Sequence, residues 1–246
     1  MASEPLPSEP LPSVPLPSVE RHPGLRGRTQ EAQALADELR RLIRLSVSTA
    51  PSPRETAELT AQLAAVADSL EAHIPAVPLP RYAPPEDGPP SALLVGDSMP
   101  FDIVVGRFNA LALPVRITVE PPKVLGHARF NVVYEGAPGC VHGGSLAAAF
   151  DIVFSAANSL AGTSGPTVRL NLRYRRPTLI GEDMLFEGWV TETTERRVFS
   201  AGHIIQGGIT TVEAEAEFAI FDRTEVDRMA AGRRAAFDHA VRRVAD

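Results

Sequence analysis

The sequence predicts an α+β fold in which an antiparallel sheet wraps around one long helix. One apolar helical segment, at about 143–160, follows a glycine-rich turn. Strand-like segments flank this helix, two before it and four after it, and short turns join them. Short turns join antiparallel neighbours, and a single helix must bury its apolar side against the sheet. These observations together predict two packed layers.

The strand-like segments before the helix are "LPVRITVEPP" and "KVLGHARFNVVYEG". After it come "TVRLNLRYRRP", "EDMLFEGWVTET", "RRVFSAGHIIQ" and "ITTVEAEAEFAIFD". The last segment alternates, with apolar residues from Val212 to Ile220 on one face and glutamates on the other, which is typical of a half-buried strand. The helix carries an apolar stripe that we expect to face the sheet: Leu146, Phe150, Val153, Ala157 and Leu160.

The composition is that of a folded globular chain. Its 246 residues are 44% apolar and 22% charged. The net charge of −6 argues against nucleic acid as a partner, because phosphate binding requires a basic surface. No apolar run reaches the roughly 18 residues that a membrane span requires. The N-terminus also lacks a secretory signal pattern, so we expect a cytoplasmic protein with no membrane span.

The chain divides into five predicted segments. Pro-Leu-Pro-Ser units recur near the N-terminus and predict a disordered tail, either passive or a ligand for a proline-binding module. Leucines at spacings of three and four predict a helical hairpin after it, with a capping box at "SPRE". The segments are a tail over 1–28, the hairpin over 29–75, a linker over 76–99, the sheet-and-helix domain over 100–222, and a C-terminal helix or tail over 223–246.

The stretch "GCVHGGSLAAAFD" combines a glycine turn with an acid on the long helix. Its glycines, Gly143 and Gly144, open the helix, so that unpaired N–H groups point outward where a substrate oxygen can approach. Asp151 lies at the edge of the apolar stripe. It is either a solvent-side residue of an amphipathic helix or a functional acid.

Helix geometry limits how these groups can cooperate. Gly143 and Asp151 are eight residues apart, which is about 12 Å of helix rise. A reacting carbonyl needs its hydrogen-bond donor and its attacking group each about 3 Å away. One copy of the helix cannot supply both. If both groups are catalytic, the sequence predicts a dimer with two equivalent sites, each using the glycine turn of one chain and the aspartate of the other.

The stretch "EGAPGCVHGGSLAAAFD", followed by "TVRLNLRYRRP", resembles the hotdog-fold acyl-CoA thioesterases. Within them it is similar to the PaaI-like group and to the mammalian thioesterase superfamily members. The motif is His-Gly-Gly, an aspartate nine residues after the histidine, then a strand with Asn-x-x-Tyr and Arg-Pro. The resemblance covers roughly residues 100–222 and none of the N-terminal segments.

The resemblance implies a hotdog fold and an enzyme of lipid metabolism that hydrolyses acyl-CoA to the free acid and coenzyme A. It implies that Asp151 acts as general base or nucleophile, that the Gly143 N–H polarises the thioester carbonyl, and that Thr167 positions the attacking water. It implies that His142 shapes the turn where the substrate binds. The family's edge-to-edge pairing of sheets implies a homodimer, or a dimer of dimers.

One position departs from the family pattern. Many members carry an Asn or Gln about six residues before the motif histidine to help bind the carbonyl, whereas this chain has Gly136. Oxyanion binding would then depend more on the helix N-terminus. Coenzyme A, as part of the substrate, also requires local positive charge. We expect three arginines to contact its phosphate or pantetheine groups: Arg173, Arg175 and Arg196. The alternative is that they are solvated arginines on an exposed face of the sheet.

Other chemistries fit the sequence poorly. Ser145 suggests an α/β-hydrolase elbow, but the motif lacks its last glycine and successive strands follow. A hotdog hydratase would need a histidine where Ala156 stands. Cys140 has no histidine and acid placed to activate it. The histidines show no metal-ligand spacing, so we expect no metal and no cofactor.

The alternative function is a hotdog domain that binds acyl-CoA, or only dimerises, without catalysis. In that case the N-terminal hairpin would be the working part and would dock a partner.

Overall fold

The computed structural model describes residues 19, 22–76, 78–80, 98–163, 165–220 and four isolated positions, 228, 231, 232 and 235. The predicted C-terminal segment and most of the predicted tail and linker therefore lie outside the described residues. In chain order the elements are α1 (Thr29–Ser46), α2 (Pro53–Glu71), β1 (Val115–Glu120), β2 (Lys123–Arg129), α3 (Gly143–Leu160), β3 (Thr167–Tyr174), β4 (Asp183–Thr193), β5 (Arg197–Gln206) and β6 (Ile209–Ala219).

The strands form a single antiparallel sheet in the order β1-β2-β4-β5-β6-β3. The strand that follows α3 in sequence, β3, is thus an edge strand of the described sheet, where it pairs with β6. On β6 the predicted alternation is present, because Val212, Ala214, Ala216 and Phe218 are all buried. The predicted α+β hotdog fold is confirmed, with six strands and one long helix against them.

Helix α3 packs across the inner face of the sheet, as its stripe predicts. Four predicted stripe residues are at most 2% exposed: Leu146, Phe150, Val153 and Ala157. The prediction is wrong for Leu160, which is 37% exposed because the helix ends there. The buried surface is wider than one stripe. It extends to Asn158, whose side-chain oxygen accepts a 2.7 Å hydrogen bond from Ser200 on β5.

The second predicted strand segment does not stay extended to its end. After β2 the chain forms a short 3-10 helix, Val132–Tyr134, which Asn131 caps by accepting a hydrogen bond from the Val133 N–H at 2.9 Å. Asparagine side chains favour such local turns over a strand. This departure matters because the 3-10 helix leads directly into the glycine turn.

The N-terminal part of the chain packs against the segment 98–113 that precedes β1. The Arg40 guanidinium on α1 donates to the carbonyls of Arg107 and Asn109, each at 2.8 Å. Residues 22–28, at the end of the predicted tail, form turns. His22 and Leu25 in these turns are fully buried. These contacts join the extension to the sheet-and-helix domain.

Helix α2 has the predicted capping box, in which Ser52 and Glu55 bond each other's backbone N–H. None of its residues is buried. The apolar residues that define its predicted stripe remain 45–72% exposed: Leu59, Leu63, Val66, Leu70 and, just after the helix, Ile74. Within the described part of the chain, no helix has the length and hydropathy to cross a membrane.

Candidate active site at the two functional positions of helix α3

The glycine turn is held by His142, the N-cap of α3. Its backbone N–H donates to the Tyr134 carbonyl at 2.7 Å, and its Nδ1 accepts the Gly144 N–H at 3.0 Å. The Ser145 N–H donates to the His142 carbonyl at 3.0 Å. His142 therefore fixes the shape of the turn through both its backbone and its ring.

These bonds leave Gly143 as the free donor of the turn. Its N–H has no hydrogen-bond acceptor among the residues that the structure describes, whereas Gly144, Ser145 and Leu146 each have one. An amide at a helix N-terminus also carries the positive end of the helix dipole. This donor is suited to bind an anion or a developing oxyanion.

Tyr174, on β3, holds the same glycine from the other side. Its hydroxyl donates to the Gly143 carbonyl at 3.0 Å. A Cβ atom at position 143 would lie 2.7 Å from the Tyr174 hydroxyl oxygen, which is closer than real Cβ contacts allow. Burial raises the pKa of the Tyr174 phenol, which keeps it protonated as a donor. A side chain at position 143 would therefore force the Tyr174 ring to shift.

The acid lies farther along the helix. Asp151 is half-buried, and its Oδ1 accepts a 2.5 Å hydrogen bond from the Thr167 hydroxyl at the start of β3. This bond orients the carboxylate and occupies Oδ1, so Oδ2 is the oxygen without a hydrogen bond to any residue that the structure describes. The structure thus joins two residues that the sequence separates by 16 positions.

Strand β3 contacts both candidate site residues of α3, Gly143 and Asp151. Thr167 at its start bonds Asp151, and Tyr174 at its end bonds Gly143. Helix α3 runs unbroken between these positions, so the separation of about 12 Å expected for eight helical residues applies. Gly143 and Asp151 of one chain do not converge on a common carbonyl.

A groove of about 880 Å³ opens beside the glycine turn. It is lined by the turn itself and by the chain after β3, including Gly143, Tyr174, Arg175 and Arg176. Its size is in the range of small-molecule sites. A ligand whose oxygen meets the Gly143 N–H would lie in this groove.

The predicted coenzyme A arginines are not gathered at one place. Arg175 lines the groove but donates from Nε and Nη2 to Glu213, at 2.9 and 2.7 Å, and this lowers the pKa of that carboxyl. Arg173 lies opposite Glu213 in the β3–β6 register. Arg196 lies in the turn between β4 and β5. Neither Arg173 nor Arg196 lines the groove.

Two residues that line the groove, Tyr174 and Arg176, were not predicted as site residues. Tyr174 belongs to the Asn-x-x-Tyr motif and Arg176 to the Arg-Pro motif, so the motif itself was the available signal. The Arg176 side chain is exposed and forms no ion pair in the described part of the chain. It is the more available cation beside the glycine turn, because Arg175 is bound to Glu213.

The packing explains why Gly136 stands where many relatives have an amide. A Cβ atom at position 136 would lie 2.9 Å from the His142 Cα. The Gly136 N–H also donates to the Cys140 carbonyl at 2.9 Å, closing the loop. A side chain at this position would displace His142, the N-cap residue. Position 136 therefore supplies no side-chain amide to bind a carbonyl together with the Gly143 N–H.

No group of three or more His, Cys, Asp or Glu side chains in the described ranges is placed to hold a metal ion. The site consists of backbone amides, a carboxylate and hydroxyls. These groups can bind an oxyanion and accept a proton from water.

Comparison with known proteins identifies the domain that carries this site. Residues 138–213 match the model of the Thioesterase superfamily. The chain is 29% identical to a thioesterase superfamily protein known from its crystal structure, with a TM-score of 0.67, over 76% of this chain and 94% of the other. The sheet and α3 have the hotdog fold, and most of the chain from the glycine turn through β5 lies in the part that matches this superfamily. The resemblance inferred from the sequence is therefore confirmed.

The likeness to that protein extends beyond the hotdog domain. Residues 115–219 make up under half of the chain, and even with all following residues they cannot account for 76% of it. Part of the N-terminal extension is therefore included.

Two further solved structures are each similar to less than half of this chain. Zebrafish thioesterase superfamily member 2 is 21% identical over 44% of this chain and 82% of its own, with a TM-score of 0.42. The PaaI protein of the E. coli phenylacetic acid degradation operon is 14% identical over 44% and 82%, with a TM-score of 0.41. No curated protein matches the sequence.

Proposed function

We propose that this protein is an acyl-CoA thioesterase whose active site is built from two subunits. The observation that carries the proposal is that α3 presents two groups, a free Gly143 N–H and the Asp151 carboxylate. Thr167 on β3 holds that carboxylate. An oxyanion donor and an oriented carboxylate are the two groups that thioester hydrolysis needs. Membership of the domain in the thioesterase superfamily supports this reaction class.

The open edge of β3 supports the dimer. Among the described strands β3 pairs with β6 alone, and Val168 and Tyr174 on it are 51% and 53% exposed. An unpaired strand edge is a ready template for another copy of the same strand. Pairing two β3 edges would bring the helices of two subunits alongside each other. Asp151 of one chain could then approach the glycine turn of its partner.

In the proposed reaction the thioester carbonyl oxygen accepts a hydrogen bond from Gly143 N–H. Asp151 of the other subunit, with Oδ1 held by Thr167, takes a proton from water as the water oxygen attacks the carbonyl carbon. The tetrahedral oxyanion collapses and breaks the carbon–sulfur bond. The thiolate takes up the proton, and the products are the carboxylic acid and coenzyme A.

A direct attack by Asp151 is the alternative route to the same products. The carboxylate would displace coenzyme A and form a mixed anhydride, which water then hydrolyses. A single turnover in ¹⁸O-water separates the general-base route from an anhydride that water hydrolyses at the Asp151 carbonyl carbon. Hydrolysis at that carbon places ¹⁸O in Asp151 and an unlabelled Asp151 oxygen in the acid, whereas the general-base route places ¹⁸O in the acid and none in the enzyme.

The decisive test is complementation between Asp151→Asn and Gly143→Pro, which lacks the backbone N–H and suits the first position of a helix. A mixed dimer contains one site with both native groups and one with neither. After unfolding and refolding an equal mixture, about a quarter of wild-type activity on an acyl-CoA panel is expected from random assortment in a symmetric dimer. If each variant is inactive and the mixture remains inactive, the shared-site proposal is wrong.

The exposed apolar stripe of α2 favours one second candidate, a non-catalytic domain that docks a partner through its N-terminal extension. The same acyl-CoA panel separates the two functions. Binding of coenzyme A without release of free thiol at any chain length would support the docking module and refute the enzyme.

A further inference from the structure

A cavity of about 540 Å³ lies between α1, the segment before and into β1, and the 3-10 helix. It is distinct from the groove beside Gly143, although Tyr134 borders it and also accepts the His142 N–H. Its volume is in the range of small-molecule sites. Because α1 belongs to the N-terminal extension, this cavity requires more than the hotdog domain.

The polar side chains on the cavity wall are already bonded within the protein. Arg40 donates to carbonyls at 2.8 Å, Arg107 donates from Nε to the Gln33 side chain at 2.7 Å, and the Tyr134 hydroxyl donates to the Ala112 carbonyl at 3.1 Å. A polar ligand group would lose its bonds to water and find few free partners here. The cavity therefore selects against polar ligands.

Asn131 also lies on the wall, where its Oδ1 accepts the Val133 N–H, and the other lining side chains except Arg116 are apolar. They include aliphatic residues from all three walls, among them Ile43, Val105, Leu113, Ile117 and Val133. Arg116 is also on the wall, but strand alternation directs its side chain to the face opposite Ile117. An apolar cavity of this kind binds hydrocarbon in preference to water.

Two features indicate that the cavity is a preformed binding site and not a packing defect. The roof is fixed, because the Arg40 bonds hold α1 to the carbonyls at 107 and 109. Beside the cavity, Leu111 and Val132 are 62% and 36% exposed, and each lies between two lining residues in sequence. Exposed apolar side chains grouped at an opening mark a place where apolar ligands bind.

We propose that this cavity binds a hydrocarbon chain. The chain belongs either to a free fatty acid or to the acyl group of a thioester, and both sources present the same methylene surface. Each added methylene that enters the cavity should tighten binding by up to about fourfold. The ligand class thus follows from the aliphatic wall and from polar side chains that are already hydrogen-bonded within the protein.

The test compares butanoate with dodecanoate, below its micelle concentration, by isothermal titration calorimetry on the full chain. Dodecanoate should bind at least tenfold more tightly than butanoate. Ala110→Trp, which fills the cavity from a partly exposed lining position, should lower the dodecanoate affinity at least tenfold. Ala67→Trp on exposed α2 is the matched control and should change nothing.

Kinetics on acetyl-CoA and dodecanoyl-CoA identify the source of the chain. A rise in KM confined to dodecanoyl-CoA in Ala110→Trp assigns the cavity to the substrate's acyl group. Unchanged kinetics with weaker dodecanoate binding assigns it to a separate lipid. Equal binding of the two acids, or equal dodecanoate affinity in Ala110→Trp and wild type, overturns the proposal.

A second measurement covers the case in which Ala110→Trp does not fold. A fatty acid carrying a nitroxide near its methyl end should broaden the methyl NMR signals of Ile43 and Val133 in the wild-type protein. Selective broadening elsewhere would refute the site. Neither result depends on thioesterase activity, so failure here is separate from failure of the proposed function.

Discussion

The Thr167 hydroxyl donates a 2.5 Å hydrogen bond to Oδ1 of Asp151, linking the first residue of β3 to the middle of α3. Hydrogen bonds to a charged group contribute more than neutral ones. The bond fixes which carboxylate oxygen remains available for water. It is the contact on which the proposed chemistry depends most directly.

Removing this hydroxyl should slow turnover without unfolding the protein. In Thr167→Val the carboxylate loses its partner, and kcat for acyl-CoA hydrolysis should fall about 10- to 100-fold. Thr167→Ser keeps the donor and is the control, with kcat near that of wild type. Steady-state kinetics of the three proteins provide the comparison. Equal rates for the valine and serine variants would show that the hydroxyl has no role.

Replacing the acid itself should have a larger effect. Asp151→Ala removes the group that accepts the proton or attacks the thioester, and kcat should fall by about 10³-fold or more. Because Asp151 is only half-buried, circular dichroism and thermal midpoint should stay close to wild type. Turnover within tenfold of wild type would contradict its assignment as a catalytic residue.

Gly143 and Tyr174 should show energetic coupling. A Cβ at position 143 meets the Tyr174 hydroxyl at 2.7 Å, so Gly143→Ala should lower the free energy of unfolding by about 1–3 kcal/mol. In a Tyr174→Phe background the oxygen is absent, and the same change should cost less. Urea unfolding of the four proteins gives the coupling, which should be at least about 0.5 kcal/mol. Additive effects would mean that the close approach carries no energetic weight.

His22 should make stability depend on pH. Burial lowers the pKa of its imidazole below the ordinary 6.5, while its Nδ1 accepts the Gly24 N–H and its Nε2 lies 2.6 Å from the Pro80 carbonyl oxygen. At a pH between the two pKa values, His22 therefore binds a proton in the unfolded chain but not in the folded chain. The stabilisation is complete above pH 6.5 and is lost as the pH falls from there towards the lowered pKa of the folded state.

The measurement is the free energy of unfolding at about pH 7.5 and pH 5.5 for wild type and His22→Gln. Glutamine can still donate and accept but does not titrate in this range. The fall in stability on acidification should be smaller in the variant. An identical fall in both proteins would assign the pH dependence to other groups.

Much of the fold was predictable because its signals are local. Apolar spacing and the glycine turn predicted the helix at 143–160, and α3 has these bounds. The "SPRE" capping box predicted the start of α2. Leu160 was mispredicted because periodicity alone does not reveal where the sheet stops covering the helix. The sequence also did not reveal that residues 22–25 are buried, since partners such as Pro80 and Phe108 lie more than 50 residues away.

By itself the sequence determined the class of fold, the helix that carries Gly143 and Asp151, and their separation of about 12 Å. These depend on residue spacing and helix geometry, which are local. Only the tertiary structure decided that Thr167 holds Asp151, that Tyr174 lies close against Gly143, and that α1 encloses a cavity. These contacts join residues far apart in sequence, and they depend on β3 lying at the sheet edge and on Arg40 holding α1 in place.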